Sequence, residues 1–133
     1  MIDPSLDLQA AIRERLVNDA GVTALVTPRA IRDGGGRPDD FPTILFGPSQ
    51  TVLEPITFSR HHVRCFVDLH VWTREVGTVM SKTIAAVAIN ALTVAPALAG
   101  LLDFQVDGVR YLRDPGDLGH AVISISALFE GAR

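Results

Sequence analysis

Apolar and polar residues alternate most clearly in residues 61–73, where every odd position from 63 to 71 is apolar. Alternation over this length is typical of a β-strand that buries one face against a core. The even positions combine the charged residues Arg64 and Asp68 with the aromatic residues Phe66 and Trp72. Such a face is neither a core nor an ordinary solvated surface, so we expect another polar surface to cover it.

The same reasoning predicts three further strands. Residues 119–130 have an apolar odd face, residues 104–113 form a strand bulged at Asp107 and Gly108, and residues 43–46 form a short strand. Between two of these strands, residues 114–117 place a proline and then a glycine at the centre of a turn. This order suits a type II turn, which needs a positive φ at its third position.

Helical spacing of apolar residues appears twice. Residues 8–18 carry one apolar stripe, and either Ser5 or Asp7 can cap the start of this helix. Residues 76–94 carry a second stripe, in which small alanines allow the helix to lie close to a sheet. The stripe residues of this second helix are Val76, Met80, Ile84, Val87, Ala91 and Val94.

Two segments show no regular pattern and are predicted to be loops. Residues 28–42 include three consecutive glycines, and residues 47–60 include two prolines and alternate weakly. We expect residues 47–60 to be a long, exposed excursion between two strands. It contains more apolar residues than a solvent-exposed loop needs, namely Val52, Leu53, Ile56 and Phe58, so we expect it to pack on a neighbouring subunit or on another protein of the same assembly.

These elements predict an α+β fold: a four-stranded antiparallel sheet with helices packed on one face, in a single domain over residues 1–133. The composition is 47% hydrophobic but only 6% aromatic, so the apolar content is mainly aliphatic. That much aliphatic surface is explained either by a well-filled core or by surface shared with other subunits.

Charge and cysteine content exclude several classes of protein. The net charge of −3 argues against nucleic-acid binding through a basic surface. Cys65 is the only cysteine, so no internal disulfide can form, and we expect it to pack as a small hydrophobe in a reducing compartment. Residues 1–4 lack the features of a signal peptide, and the apolar stretch 84–102 is interrupted by polar residues, proline and glycine. We therefore expect a cytoplasmic protein that does not enter membranes.

No arrangement of residues indicates a catalytic, cofactor or metal site. The three glycines at residues 34–36 lack the Lys-Ser/Thr pair of a phosphate-binding loop. Asp68 and His70 are neighbours on one strand face, but His62 lies about 27 Å from His70 along the same strand. A metal site would therefore need His120 or another ligand from a neighbouring strand, and we expect none.

The order of the segments resembles the phage tail-completion, or tail-terminator, family. The resemblance covers residues 8–130, and its most specific parts are Leu69-His70-Val71-Trp72 before the alanine-rich helix and Leu112-Arg113-Asp114-Pro115 before the last strand. Members of this family form a ring, commonly a hexamer, on the last ring of a long tail tube. They stop tube polymerisation and present the surface that joins the head, in phages, prophages and gene transfer agents.

The resemblance implies a structural protein and not an enzyme. Its expected partners are further copies of itself, the tail tube protein and the head–neck connector, while DNA passes through the ring without specific binding. It would assemble in the cytoplasm and then remain in the virion. The expected interface residues are Val52, Leu53, Ile56, Phe58, Arg64, Phe66, Asp68 and Trp72. The alternative is a small cofactor-free α+β enzyme or ligand-binding dimer in which His70 or His120 and Trp72 line a pocket.

Overall fold

Five strands form one mixed sheet in the computed structural model, which describes residues 3–54 and 61–131. They are β1 (Ile31–Asp33), β2 (Thr43–Glu54), β3 (His61–Arg74), β4 (Leu101–Asp114) and β5 (Leu118–Gly131). Their order in the sheet is β1-β2-β3-β5-β4, with β1 parallel to β2 and every other pair antiparallel. The α+β class is confirmed, but the expectation of four antiparallel strands was wrong.

The additional strand, β1, lies in the segment 28–42 that was expected to be a loop. It has only three residues and follows a short 3-10 turn, Pro28–Ala30. Three residues are too few to display alternation, so no periodic signal marks this strand. Its pairing along Ile44 and Phe46 of β2 places it at one edge of the sheet.

Strand β2 is much longer than the predicted strand 43–46. The pairing with β3 shifts register between Phe46 and Ser49, and this irregularity accommodates Gly47 and Pro48. Because proline has no backbone N–H, it is tolerated in a sheet mainly at such a bulge or at an edge. The predicted excursion was therefore wrong as far as Glu54, and its remaining residues 55–60 lie outside the described residues.

Three helices accompany the sheet: α1 (Ser5–Val17), α2 (Ala20–Thr23) and α3 (Val79–Ala91). Helix α1 buries Leu8, Ile12 and Leu16, as its stripe predicts. Neither Ser5 nor Asp7 caps it, because Pro4 occupies the capping position; the Asp3 carboxylate accepts the Ser5 N–H at 2.9 Å. None of the helices in the described residues is long and apolar enough to cross a membrane.

The stripe predicted for α3 was only partly correct. Val76, Met80 and Val94 are exposed, while the face that meets the sheet is Ser81, Ile84, Ala85, Ala88 and Ala91. Alanines occur on more than one side of this helix, so the pattern of apolar residues does not show which of them face the sheet. Small side chains let α3 approach the sheet closely.

The core lies between the helices and one face of the sheet. The odd positions of β3, from Val63 to Val71, and those of β5, from Ala121 to Phe129, are all buried there, as predicted. The hairpin that joins β4 and β5 turns through Gly116 at φ 88°, and β4 is bulged between Val106 and Gly108, again as predicted. The even positions of β3 and β5 point to the opposite side, which we call the outer face.

Candidate functional site

The outer face carries the polar and aromatic residues that the sequence singled out on β3. Phe66 is 38% exposed and lies between Gln50 of β2 and Ser126 of β5. Next to it, the Arg64 guanidinium donates to the Glu54 carboxylate at 2.9 Å, with the two side chains 28% and 30% exposed. An accessible aromatic ring beside a partly shielded ion pair has the composition of a protein–protein contact.

Trp72 occupies a different environment from Phe66. Its ring stacks on the His120 imidazole, with centroids 3.9 Å apart, and it packs with Leu45 and Leu118 in a small second apolar cluster. Only 7% of Trp72 is exposed. Other residues of the same chain therefore already cover Trp72, whereas the Phe66 ring remains accessible to another protein.

The other predicted interface residues lie in three places. Val52 and Leu53 belong to β2, where they pair with Arg64 and Val63 of β3. Leu53 is 71% exposed, although it lies on the same side of the sheet as the core. Ile56 and Phe58 lie outside the described residues, whereas Asp68 is a half-buried residue of the outer face.

A cleft of about 540 Å³ opens beside this face, between β2 and the loop that follows β1. Gly34, Gly35 and Gly36 form part of its wall, and the Arg32–Asp40 ion pair, at 2.8 Å, closes the base of their loop. His70, Trp72 and His120 also line the cleft, as the ligand-binding alternative required.

A chain of polar contacts runs from the end of β4 to this cleft. Oδ2 of Asp114 lies 3.0 Å from Nδ1 of His120, and Nε2 of His120 lies 2.7 Å from Nδ1 of His70. In the tautomer that places the His120 proton on Nδ1, on the side of Asp114, Nε2 of His120 accepts the Nδ1–H of His70. Nε2 of His70 is then left unprotonated, buried and without a hydrogen-bond partner among the described residues.

Close approach of the backbone explains why this nitrogen is covered. A β-carbon at Gly47 would collide with the His70 imidazole, so only glycine allows β2 to pass here. Burial lowers the pKa of His70, an effect that the opposing charge of Asp68 does not overcome. Burial likewise lowers the pKa of His120, and the neighbouring His70 lowers it further. Both rings are therefore neutral at neutral pH, and the contact between them is structural.

Cys65 is fully buried on the core side of β3. Its Sγ lies 3.9 Å from the hydroxyl oxygen of Thr51, and burial raises the pKa of the thiol. A buried thiol with a raised pKa is a poor nucleophile, which confirms its role as a small packing residue. In the part of the chain that the structure describes, no three His, Cys, Asp or Glu residues are grouped to hold a metal ion.

Sequence reasoning missed two features of this region. The contact between His70 and His120 depends on the pairing of β3 with β5, and only the alignment of their two buried odd faces could have indicated it. Glu75 was overlooked as well: it accepts hydrogen bonds from the backbone of α3 and from the Thr73 hydroxyl. No local motif marks Glu75, because it precedes the first helical residue by four positions.

Comparisons with known proteins agree with the fold and with the order of its elements. The family model described as tail completion protein gp17 matches residues 10–130. A chain from a structure described as the virion of a native gene transfer agent particle superposes with a TM-score of 0.79, at 22% identity, over 93% of this chain and 95% of that one. At that identity the superposition shows a shared fold. The search of curated proteins gave no match. Because the family model covers most of its length, the chain belongs to the tail completion protein gp17 family and is a structural protein of a phage-like particle, not an enzyme.

Proposed function

We propose that the protein forms a ring at the head-proximal end of a tail tube, where it stops tube polymerisation and joins the tail to the head or neck. The observation that carries this proposal is the outer face of the sheet, which no helix covers in the described residues. Phe66 is accessible there beside the Arg64–Glu54 ion pair. A central aromatic ring with a polar surround is typical of a specific contact between protein subunits.

The ring has a tube on one side and a neck on the other, so its two ends must differ. Six copies would match a tube whose rings also have six subunits. The net charge of −3 suits a channel through which DNA passes without being retained, because a basic lining would bind its phosphates. The partners are therefore the tail tube protein, the neck connector and further copies of this chain.

Imaging of particles that lack this protein tests the proposed role. We expect over-long tails, or heads and tails that are not joined, in negative-stain micrographs. Supplying the wild-type chain in the same cells should restore joined particles of normal tail length. Joined particles with normal tails in the absence of the protein would refute the function.

A substitution on the outer face tests, in the same assay, whether this surface is needed for assembly when the fold is intact. Phe66→Ser should give a soluble chain that complements poorly, because the substitution removes the accessible ring and leaves the core unchanged. Leu6→Ser is the matched control, since Leu6 is a 72% exposed residue of α1, away from the sheet. Leu6→Ser should complement like the wild type. Equal complementation by the two variants would remove the outer face from the proposal.

A further inference from the structure

The sheet has two unequal free edges. At one edge, β1 pairs only with Ile44, Leu45 and Phe46, so residues 49–54 of β2 have no strand beside them among the described residues. At the other edge, none of the described strands pairs with the outer side of β4. Exposed edges with unpaired backbone groups are templates for pairing with another chain.

The two edges lie at the same height within the sheet. Residues 49–54 of β2 begin just after one bulge, and residues 101–106 of β4 end just before another. The register links the two segments across the intervening strands. Ser49 is level with Val67, Ile125 and Val106, while Leu53 is level with Val63, Phe129 and Leu101. If the sheet is repeated sideways without a shift along the strands, residues 49–53 of β2 lie beside residues 101–106 of β4, whose bulge at Leu102 accounts for the one extra residue.

Exposed apolar side chains lie at both of these edges. Leu53 of β2 is 71% exposed and Leu102 of β4 is 53% exposed. An isolated exposed leucine needs no explanation, but here one lies on each edge: Leu102 is the bulged residue next to Leu101, which is level with Leu53. Pairing of the two edges would bring the leucines together and remove both from water.

The polarity of the ring determines which edges can pair. A ring that binds a tube on one side and a neck on the other has all subunits in the same orientation. Such a ring needs a heterologous contact, in which two different surfaces meet. Pairing β4 of one copy with β4 of another would instead give a closed twofold dimer. The segment 49–54 of β2 is the second, different edge that the ring requires.

We propose that residues 101–106 of β4 pair antiparallel with residues 49–53 of β2 in the next copy of this chain, so that the sheets join around the ring. This inference rests on the proposed ring function and specifies a contact between neighbouring copies at the sheet edges, separate from the outer face. Pairing continues the native antiparallel order, because β4 and β2 run in opposite directions within the sheet.

Cysteine cross-linking tests the contact directly. Gln50 and Gln105 are exposed, lie on the outer face and are level with each other through Phe66 and Ser126. In a Cys65→Ser background, Gln50→Cys combined with Gln105→Cys should give a ladder of covalent multimers in assembled particles treated with a short bismaleimide. The highest band of that ladder gives the number of subunits in the ring.

Three control chains make the outcome specific. Neither single-cysteine chain should form covalent multimers. The pair Gln50→Cys and Arg113→Cys should not cross-link either, because Arg113 lies at the far end of β4. Covalent dimers from Gln105→Cys alone would show that β4 pairs with itself and would overturn the proposal. Normal tails without any ladder from the double variant would also overturn it, while leaving the terminator function intact.

If the cysteine variants do not assemble, paired charge substitutions test the same contact. Leu53→Asp and Leu102→Lys should each lower the yield of joined particles by about tenfold or more, because each places an unpaired charge in the contact. The two substitutions together should restore most of the yield. Unchanged yields from the single variants, or no recovery in the pair, would overturn edge pairing. Normal particles without the protein would instead overturn the proposed function itself.

Discussion

Oε2 of Glu75 accepts the backbone N–H of Ser81 at 2.8 Å, which fixes the first turn of helix α3 from outside the helix. Oε1 accepts the N–H of Met80 at 2.9 Å, and the Thr73 hydroxyl donates to the same carboxylate. The capping residue itself, Thr78, makes no side-chain hydrogen bond to the helix. Glu75 thus replaces the missing cap and connects the end of β3 to the start of α3.

We predict that Glu75→Ala lowers the free energy of unfolding by about 1 kcal/mol, the usual cost of losing a helix cap. Chemical denaturation of the purified chain measures this change. Glu14→Ala is the matched control, because Glu14 is an exposed residue of α1, and it should change stability by less than about 0.5 kcal/mol. Equal stability of the two variants would contradict the capping role.

The contribution of Glu75 should depend on pH. Partial burial acts to raise its pKa, but the hydrogen bonds from Thr73, Met80 and Ser81 together lower it below the ordinary value of 4.5. A carboxyl group with a lowered pKa stabilises the fold above its ordinary pKa and loses this effect as the pH falls through the folded value. The stability difference between wild type and Glu75→Ala should therefore shrink in acid. A difference that is constant down to acid pH would show that the charge is not involved.

Leu69 is fully buried in the middle of β3, on the face that the sequence assigned to the core. Leu69→Ala should lower the free energy of unfolding by roughly 2–5 kcal/mol, since it creates a cavity among close-packed side chains. Thermal melting of the variant measures the effect, and Leu6→Ala on the exposed surface is the control. An unchanged melting temperature for Leu69→Ala would mean that the face assignment is wrong.

The buried sheet faces were predictable because alternation reports directly which side chains avoid water. Residues 61–73 and 119–130 show it without interruption, and the bulge in β4 follows from Asp107 and Gly108. The second half of β2 was not predictable in this way. Its bulge at Gly47 and Pro48 changes which positions face the core, so the alternation on the two sides of the bulge no longer matches.

The cleft and the histidine contact depend on tertiary structure, which explains why the sequence did not reveal them. His70 and His120 are 50 residues apart, and they meet only because β3 pairs with β5 in one particular register. The glycines at residues 34–36 form a wall of the cleft only because the fold places β2 beside them. Trp72 shows the same limit: it lies on the same face of β3 as Phe66, but His120 and a small apolar cluster cover only the Trp72 ring.

The histidine pair should make the fold sensitive to mild acid. Burial is the main cause that lowers the pKa of both His70 and His120 below the ordinary value of 6.5, so the neutral rings favour the folded state. The resulting stability is present above the ordinary pKa and is lost as the pH falls through the lowered folded values. Wild-type stability should therefore decline as the pH falls below the ordinary histidine pKa of 6.5. His120→Gln should make the free energy of unfolding less dependent on pH in this range. An equally steep decline in the variant would show that other groups cause the acid sensitivity.

Phe66 and Trp72 lie on the same face of β3, yet their substitution should have different consequences. Phe66→Ser should leave the melting temperature nearly unchanged, because the ring is 38% exposed and lies outside the core. Trp72→Ser should destabilise the monomer by about 3–5 kcal/mol, since it removes a buried ring that packs against His120, Leu45 and Leu118. If the outer face is a subunit contact, Phe66→Ser should still reduce the yield of joined particles, whereas Trp72→Ser should lower the amount of folded chain first. Melting curves and particle counts on the same two variants separate these effects. A large loss of melting temperature in Phe66→Ser would place Phe66 in the monomer core and remove the main support for the outer face as an assembly surface.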